Sequence, residues 1–381
     1  MARWNLVGAV LGVFMLGFAG QAAAIGFTAI DLNPAGAFGS TAEGASGGQQ
    51  VGTGAGALTG GQNHALIWMG TAASVVDLNP SGFFDSSGHG VSGGQQVGIG
   101  DLTSGGQHAL LWMGTAATAV DLHPSGFILS EARGTSGDQQ VGVGIDGFGE
   151  PHALLWTGTA ASAVDLTPLG FVSSAAGVSG GQQVGTGSGG IFTGFQDHAL
   201  LWTGTAASAV DLNPVGFTES HGQGVSGGQQ VGAGTIGGNQ HALLWTGTAA
   251  SAVDLNPVGF SDSVAYGVSG GQQVGYGFGA LTGGSDHALL WTGTAASVVD
   301  LNAFLPAGFT TSEALGIDAS GDIVGFASGP VTGVSQHAFL WEPVAAAVPE
   351  PNSLVLISTG LAGLGISWRR RVRQGLPTAA D

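Results

Sequence analysis

The chain has 381 residues, 74 of them glycine, with 43% hydrophobic and only 8% charged residues and no cysteine. That composition excludes a disulfide framework and thiolate chemistry, and it is too apolar for a disordered chain. Between residues 25 and 348, 22 acidic residues stand against Arg133 alone, a formal charge of −21. Nucleic acid is excluded as a partner, because phosphate backbones are held mainly by Lys and Arg.

Residues 1–24 read as a secretory signal peptide. Arg3 gives a positive start, Leu6 to Phe18 an apolar run, and Ala22-Ala23-Ala24 a small-residue cleavage site, so the mature chain is expected to begin at Ile25.

Residues 25–346 are a seven-fold repeat. A His-Ala-Leu/Phe-x-Trp core begins at His64, His108, His152, His198, His241, His287 and His337 and ends at Trp68, Trp112, Trp156, Trp202, Trp245, Trp291 and Trp341. The spacings are 44, 44, 46, 43, 46 and 50 residues. Periods of this size mark architectures in which each unit buries its apolar faces only against its neighbours.

Each unit carries four short strand signals. The first is small and polar, as in Gly224-Val225-Ser226; a Gly-Gly pair leads to Gln229-Gln230-Val231-Gly232. The His-Ala-Leu-Leu-Trp strand follows, then Ala-Val-Asp-Leu, which stops at Asn-Pro because proline removes a ladder donor. The mature chain opens on an isolated fourth strand, Phe27–Leu32, and the last unit stops after its third, His337–Trp341. That phase shift predicts an all-β, seven-bladed β-propeller of four-stranded antiparallel blades, closed when the N-terminal strand pairs into the last blade.

Two connections of each unit emerge on the same face of such a meander. They are expected to hold Glu43, Asp85, Asp101, Glu131, Asp146, Glu150, Asp197, Glu219, Asp262, Asp286 and Glu313, which would make that face variable and negative.

Residues 347–381 form a separate module. Val348-Pro349-Glu350-Pro351 precedes an apolar run, Leu354 to Trp368, expected to form a short transmembrane helix, and Arg369, Arg370, Arg371 and Arg373 follow. The arginines hold that end in the cytoplasm, and about 15 apolar residues suit a transient anchor better than a permanent span. Pro-Glu-Pro, the apolar run and the Arg cluster together resemble the PEP-CTERM sorting signal. The resemblance implies an exosortase-type processing protease as a partner. A second resemblance lies in the body: Gln336-His337-Ala338-Phe339-Leu340-Trp341, preceded by Gly316 to Gly325, is similar to the HAF-family extracellular repeat. Six units depart from that family, with Leu in place of Phe after His-Ala. It implies an extracellular location and no particular activity.

Seven histidines and seven aspartates at fixed positions suggest metal ligands, but a ring holds equivalent residues of different blades apart, and no His-x-x-x-His pair occurs. Each histidine is instead expected to bond the aspartate of its own blade, and each tryptophan to be buried between blades rather than to stack on sugars. No catalytic residue, cofactor site or metal site is expected, and the chain is read as no enzyme. The leading reading is an exported protein, anchored in the inner membrane before processing and then placed at the cell surface or in the biofilm matrix as a structural or binding component. Exopolysaccharide and divalent cations are its candidate ligands. The alternatives are a polysaccharide-acting enzyme using loop carboxylates and a matrix amyloid built on a 22-residue strand-turn-strand unit.

Overall fold

Alternating side chains along each short strand give this chain two apolar faces per sheet, and both are covered by neighbouring sheets. The computed structural model describes residues 26–189, 194–333 and 335–344. Phe27–Pro343 form one unit of seven four-stranded sheets, the blades of a propeller. In blade one, Ala37–Ser46, Gln49–Gly56, Asn63–Trp68 and Val76–Asp77 pair antiparallel in chain order. Five more blades repeat that order. The seventh takes Thr311–Ile317, Ile323–Ser328 and His337–Val344 from the end of the chain, and its outermost strand, Gly26–Asp31, from the beginning. The ring therefore closes through hydrogen bonds. The Leu32 N–H donates to the Ala338 carbonyl at 2.8 Å, and the Asp31 carboxylate lies 2.8 Å from Nδ1 of His337.

The His-Ala-Leu-Leu-Trp strand shows why one blade cannot stand alone. In blade three, Ala153 and Leu155 point to blade four and pack with Leu200 and Trp202. Leu154 and Trp156 of the same strand point back to blade two and pack with Val97 and Leu111. Seven such clusters, one per blade interface, make up the core, and all seven repeat tryptophans are fully buried in them. A line of polar bonds runs alongside. The N–H of the alanine after each histidine donates to a serine on the first strand of the next blade, as from Ala65 to Ser86 Oγ at 3.0 Å and, across the closure, from Ala338 to Ser40 Oγ at 3.1 Å.

The Gly-Gly pair makes the tight turn its composition calls for. Gly47 and Gly48 have φ of +57° and +79°, a pair of values that only glycine adopts without strain.

Three expectations are corrected. The first strand is far longer than Gly-Val-Ser; it runs from Phe83 to Ser92 in blade two and from Glu219 to Ser226 in blade five. The outermost strand shrinks to Val-Asp, because the preceding Ala-Ala-Ser winds into one 3-10 turn. As a result, eight of the eleven acids assigned to loops lie on strands: Glu43, Asp85, Asp101, Glu131, Asp146, Glu219, Asp262 and Glu313. A closed propeller also replaces the stacked strand-turn-strand amyloid alternative. Among the described residues no helix is long and apolar enough to cross a membrane. The expected signal peptide, the helix over 354–368 and the sorting residues Val348 to Pro351 and Arg369 to Arg371 lie outside the described residues.

Candidate functional site

The first strands of successive blades pack against one another around the ring, so they are the innermost strands and their edges face the axis. Each contains the pattern Ser-x-(Ala/Gly)-X-Gly, and at X the pairing with the second strand slips by one residue. In blade three Ala132 pairs with Gly142 and Gly134 with Val141, leaving Arg133 extruded as a β-bulge. The cause lies on the second strand, where every unit has a glycine after its valine (Ile323-Val324-Gly325 in the last). A Cβ on Gly142 would sit 1.9 Å from the Glu131 carbonyl oxygen. The bulged strand occupies the space that any side chain would need.

The seven extruded residues are Glu43, His89, Arg133, Ala176, Gln223, Tyr266 and Leu315. They converge on the axis, where with Glu131 they line a cavity of about 430 Å³. The surrounding motif is nearly the same in every copy, yet this position carries seven different residue types. Sequence reasoning passed over it, although the Ser-x-small-X-Gly frame was there to be aligned.

The charged side of the channel is a relay across three blades. Glu43 Oε2 is 2.7 Å from His89 Nδ1, His89 Nε2 is 3.4 Å from Glu131 Oε1, and Arg133 donates from Nη2 to Glu131 Oε2 at 3.0 Å. Burial alone would lower the pKa of the His89 imidazole, but the charge and hydrogen bond of Glu43, with the charge of Glu131, outweigh it against opposition from Arg133, and the net shift is upward. On the opposite side Tyr266 stacks on Tyr276 with ring centroids 6.0 Å apart. Glu313, two residues before Leu315, is pushed up to about 7 by burial and by the charge of Asp286. The two phenols are raised as well, by burial and then by Glu313. A second cavity, of about 370 Å³, lies between blades three and four. Leu129, Val143, Ser173 and Thr186 line it, and it shares Glu131 and Arg133 with the channel.

The repeat histidines stay outside this site. His64, His108, His152, His198, His241, His287 and His337 each hold one aspartate at 2.7–2.8 Å: Asp77, Asp121, Asp165, Asp211, Asp254, Asp300 and Asp31. The second carboxylate oxygen takes the backbone N–H two residues on, as Asp254 does from Asn256 at 2.8 Å. Among the described residues no group of three His, Asp or Glu is placed to hold a metal ion.

The profile of the PEP-CTERM protein-sorting motif matches residues 347–371. The motif supports an exported chain that exosortase-type machinery sorts at the membrane. The match covers the sorting segment alone. No curated protein matches the sequence. Among solved structures, the acylaminoacyl peptidase of Pyrococcus horikoshii is similar at a TM-score of 0.52 and 11% identity, over 84% of this chain and 54% of that one. A puromycin-hydrolyzing peptidase of Mycobacterium tuberculosis gives 0.55 and 11% over 86% and 54%. The β-propeller domain of the Trilobed protease from Pyrococcus furiosus gives 0.53 and 9% over 82% and 100%. The chain spans about half the length of the first two. These likenesses overturn the expectation of a chain that is no enzyme: the fold occurs in peptidases, so neither the fold nor the repetition of its blades excludes catalysis. At such low identity they show the fold alone, and no catalytic site is shown.

Proposed function

We propose that the chain is an HAF-type extracellular protein that acts at the cell surface or in the biofilm matrix as a binding propeller. Its repeats form the scaffold and its channel forms the reader. One observation carries this reading: the residue extruded into the channel is of a different type in each of the seven blades, within a motif that is otherwise nearly constant. Glu43, His89 and Arg133 are paired with one another through Glu131, whereas Gln223 and the Tyr266 hydroxyl have no protein partner among the described residues and are left to a ligand. The repeat His–Asp pairs and buried tryptophans are assigned to the scaffold. The sorting motif supports the address, with cleavage near Val348–Pro351 and release from an inner-membrane anchor over 354–368. The test is cell fractionation with intact-mass measurement of the surface protein, in hosts with and without an active exosortase. A surface species that lacks the tail only in the first host is expected. A mass that still includes 354–381 in that host overturns the sorted address.

A second reading, catalysis on a bound polysaccharide, is favoured by Glu313, a carboxyl held near neutrality as a general acid requires, with Asp286 as its neighbouring carboxylate. Release of reducing ends from matrix polysaccharide by wild type but not by Glu313→Gln is the result it requires.

A further inference from the structure

We infer that the channel binds a neutral polyhydroxylated ligand, the end of an oligosaccharide chain, through Arg133, Gln223 and Tyr266. The inference rests on the reading of the channel as the binding site and adds the chemistry of what enters it. Arg133 is the only Lys or Arg between residues 25 and 348. Of its five guanidinium N–H donors, one is given to Glu131, and no other protein acceptor holds the rest among the described residues. The amide of Gln223 and the hydroxyl of Tyr266 line the same cavity and likewise have no protein hydrogen bond among the described residues. Together they present free donors and acceptors of both senses to the channel, from blades three, five and six. Ala176, Leu315 and the Tyr266 ring supply apolar surface beside them. The volume of 430 Å³ lies within the usual range of about 300–1,000 Å³ for small-molecule sites, and a lining that is mostly polar suits a hydroxyl-rich ligand.

Charge decides among ligand classes. Glu43 and Glu131 are already paired with His89 and Arg133, so with His89 protonated these four groups sum to zero. A cation gains no unpaired carboxylate from the relay and meets Arg133. An anion must enter a body of formal charge −21. A neutral hydroxyl-rich ligand meets neither barrier and can use every free donor and acceptor. Glu131 and Arg133 also line the cavity between blades three and four. A chain of several sugars is therefore expected to reach contacts beyond the channel that a monosaccharide does not.

The full chain, purified in detergent, is titrated calorimetrically with neutral tetrasaccharides of glucose, galactose, mannose and N-acetylglucosamine, with their monosaccharides, with tetragalacturonate and with spermine. At least one neutral tetrasaccharide should bind, about tenfold or more tighter than its monosaccharide. Arg133→Gln and Tyr266→Phe should each weaken that binding about tenfold, as the loss of a hydrogen bond in a dry site does. Gln223→Leu removes no protein hydrogen bond, so it tests the channel with least risk to the fold and should weaken binding comparably. Tighter binding of tetragalacturonate or spermine overturns the ligand class, as does the absence of binding by every neutral tetrasaccharide. A neutral tetrasaccharide that binds all three variants as it binds wild type overturns the channel as the reader, and this inference with it, while leaving the sorted address intact.

Discussion

Gly142→Ala tests whether the bulges that form the channel are enforced by the glycine behind them. The added Cβ would lie 1.9 Å from the Glu131 carbonyl oxygen and 2.9 Å from Ala132 Cα, both backbone atoms that cannot rotate away. Restoring ordinary contact requires the first strand of blade three to retreat by about 1.5 Å, and overpacking of this kind costs about 1–3 kcal/mol. Because both atoms are backbone, this case lies at the upper end, about 3 kcal/mol; alanine regains about 0.5–1 kcal/mol by restricting the unfolded chain, so a net loss of about 2 kcal/mol is expected. The control is Gly137→Ala in the turn of the same blade. There φ is +61° and nothing lies within 4 Å of the new Cβ, so only the left-handed backbone is penalised, by about 1 kcal/mol. Urea denaturation of both variants gives the comparison. A second readout is local: retreat of Glu131 removes more of its raising effect on His89 than retreat of Arg133 relieves of the opposing one, so the titration of His89, followed by NMR, should move down. Gly142→Ala with a urea midpoint no lower than that of Gly137→Ala, and with His89 unchanged, would refute the argument.

Trp202→Ala should cost about 3–5 kcal/mol in urea unfolding, because Trp202 is fully buried against Val141, Ala153 and Leu155 of the preceding blade. Trp202→Phe should cost clearly less, since the indole N–H it removes has no acceptor among the described residues. Stability should fall as pH rises from about 4.5 through about 7, because Glu313 binds its proton more tightly folded than unfolded and its ionisation opposes folding. Glu313→Gln should flatten that slope, recovering at most about 3 kcal/mol at pH 8, and an unchanged slope would exclude Glu313 as its source. His89 acts in the same sense: its folded pKa is raised, so its contribution is complete below 6.5 and is lost as pH rises through the folded value. Deleting 27–32 uncovers the edge of the His337 strand and strips that histidine of Asp31. A deletion variant with the melting temperature of the intact protein would mean that closure contributes nothing.

The scaffold was legible because its signals are local and repeated. Ala-Leu-Leu-Trp shows two apolar faces, Gly-Gly shows a positive-φ turn, and the stray Phe27–Leu32 strand shows how the ring must close. The first strand was not legible over its full length. In Phe83-Phe84-Asp85-Ser86-Ser87-Gly88 the buried positions are Ser86 and Gly88 while Phe84 is exposed, so no apolar period emerges. The bulges were hidden for a related reason: an extra residue in a strand leaves no mark on the spacing, and only the pairing partner shows where the ladder slips. Glu131 therefore read as a loop residue, although the fold places it with Arg133 in the lining of two cavities.

Closure by the first strand also works as a check on the length of the chain. The partner of Asp31 is His337, so the ring cannot be completed until nearly the whole repeat array has been made and exported. The sorting motif begins at residue 347, six positions after Trp341. A chain truncated within any repeat loses both the last blade and the signal that sends the protein onward. Recognition by the sorting machinery is thereby limited, without any separate inspector, to chains that have been made through the last blade.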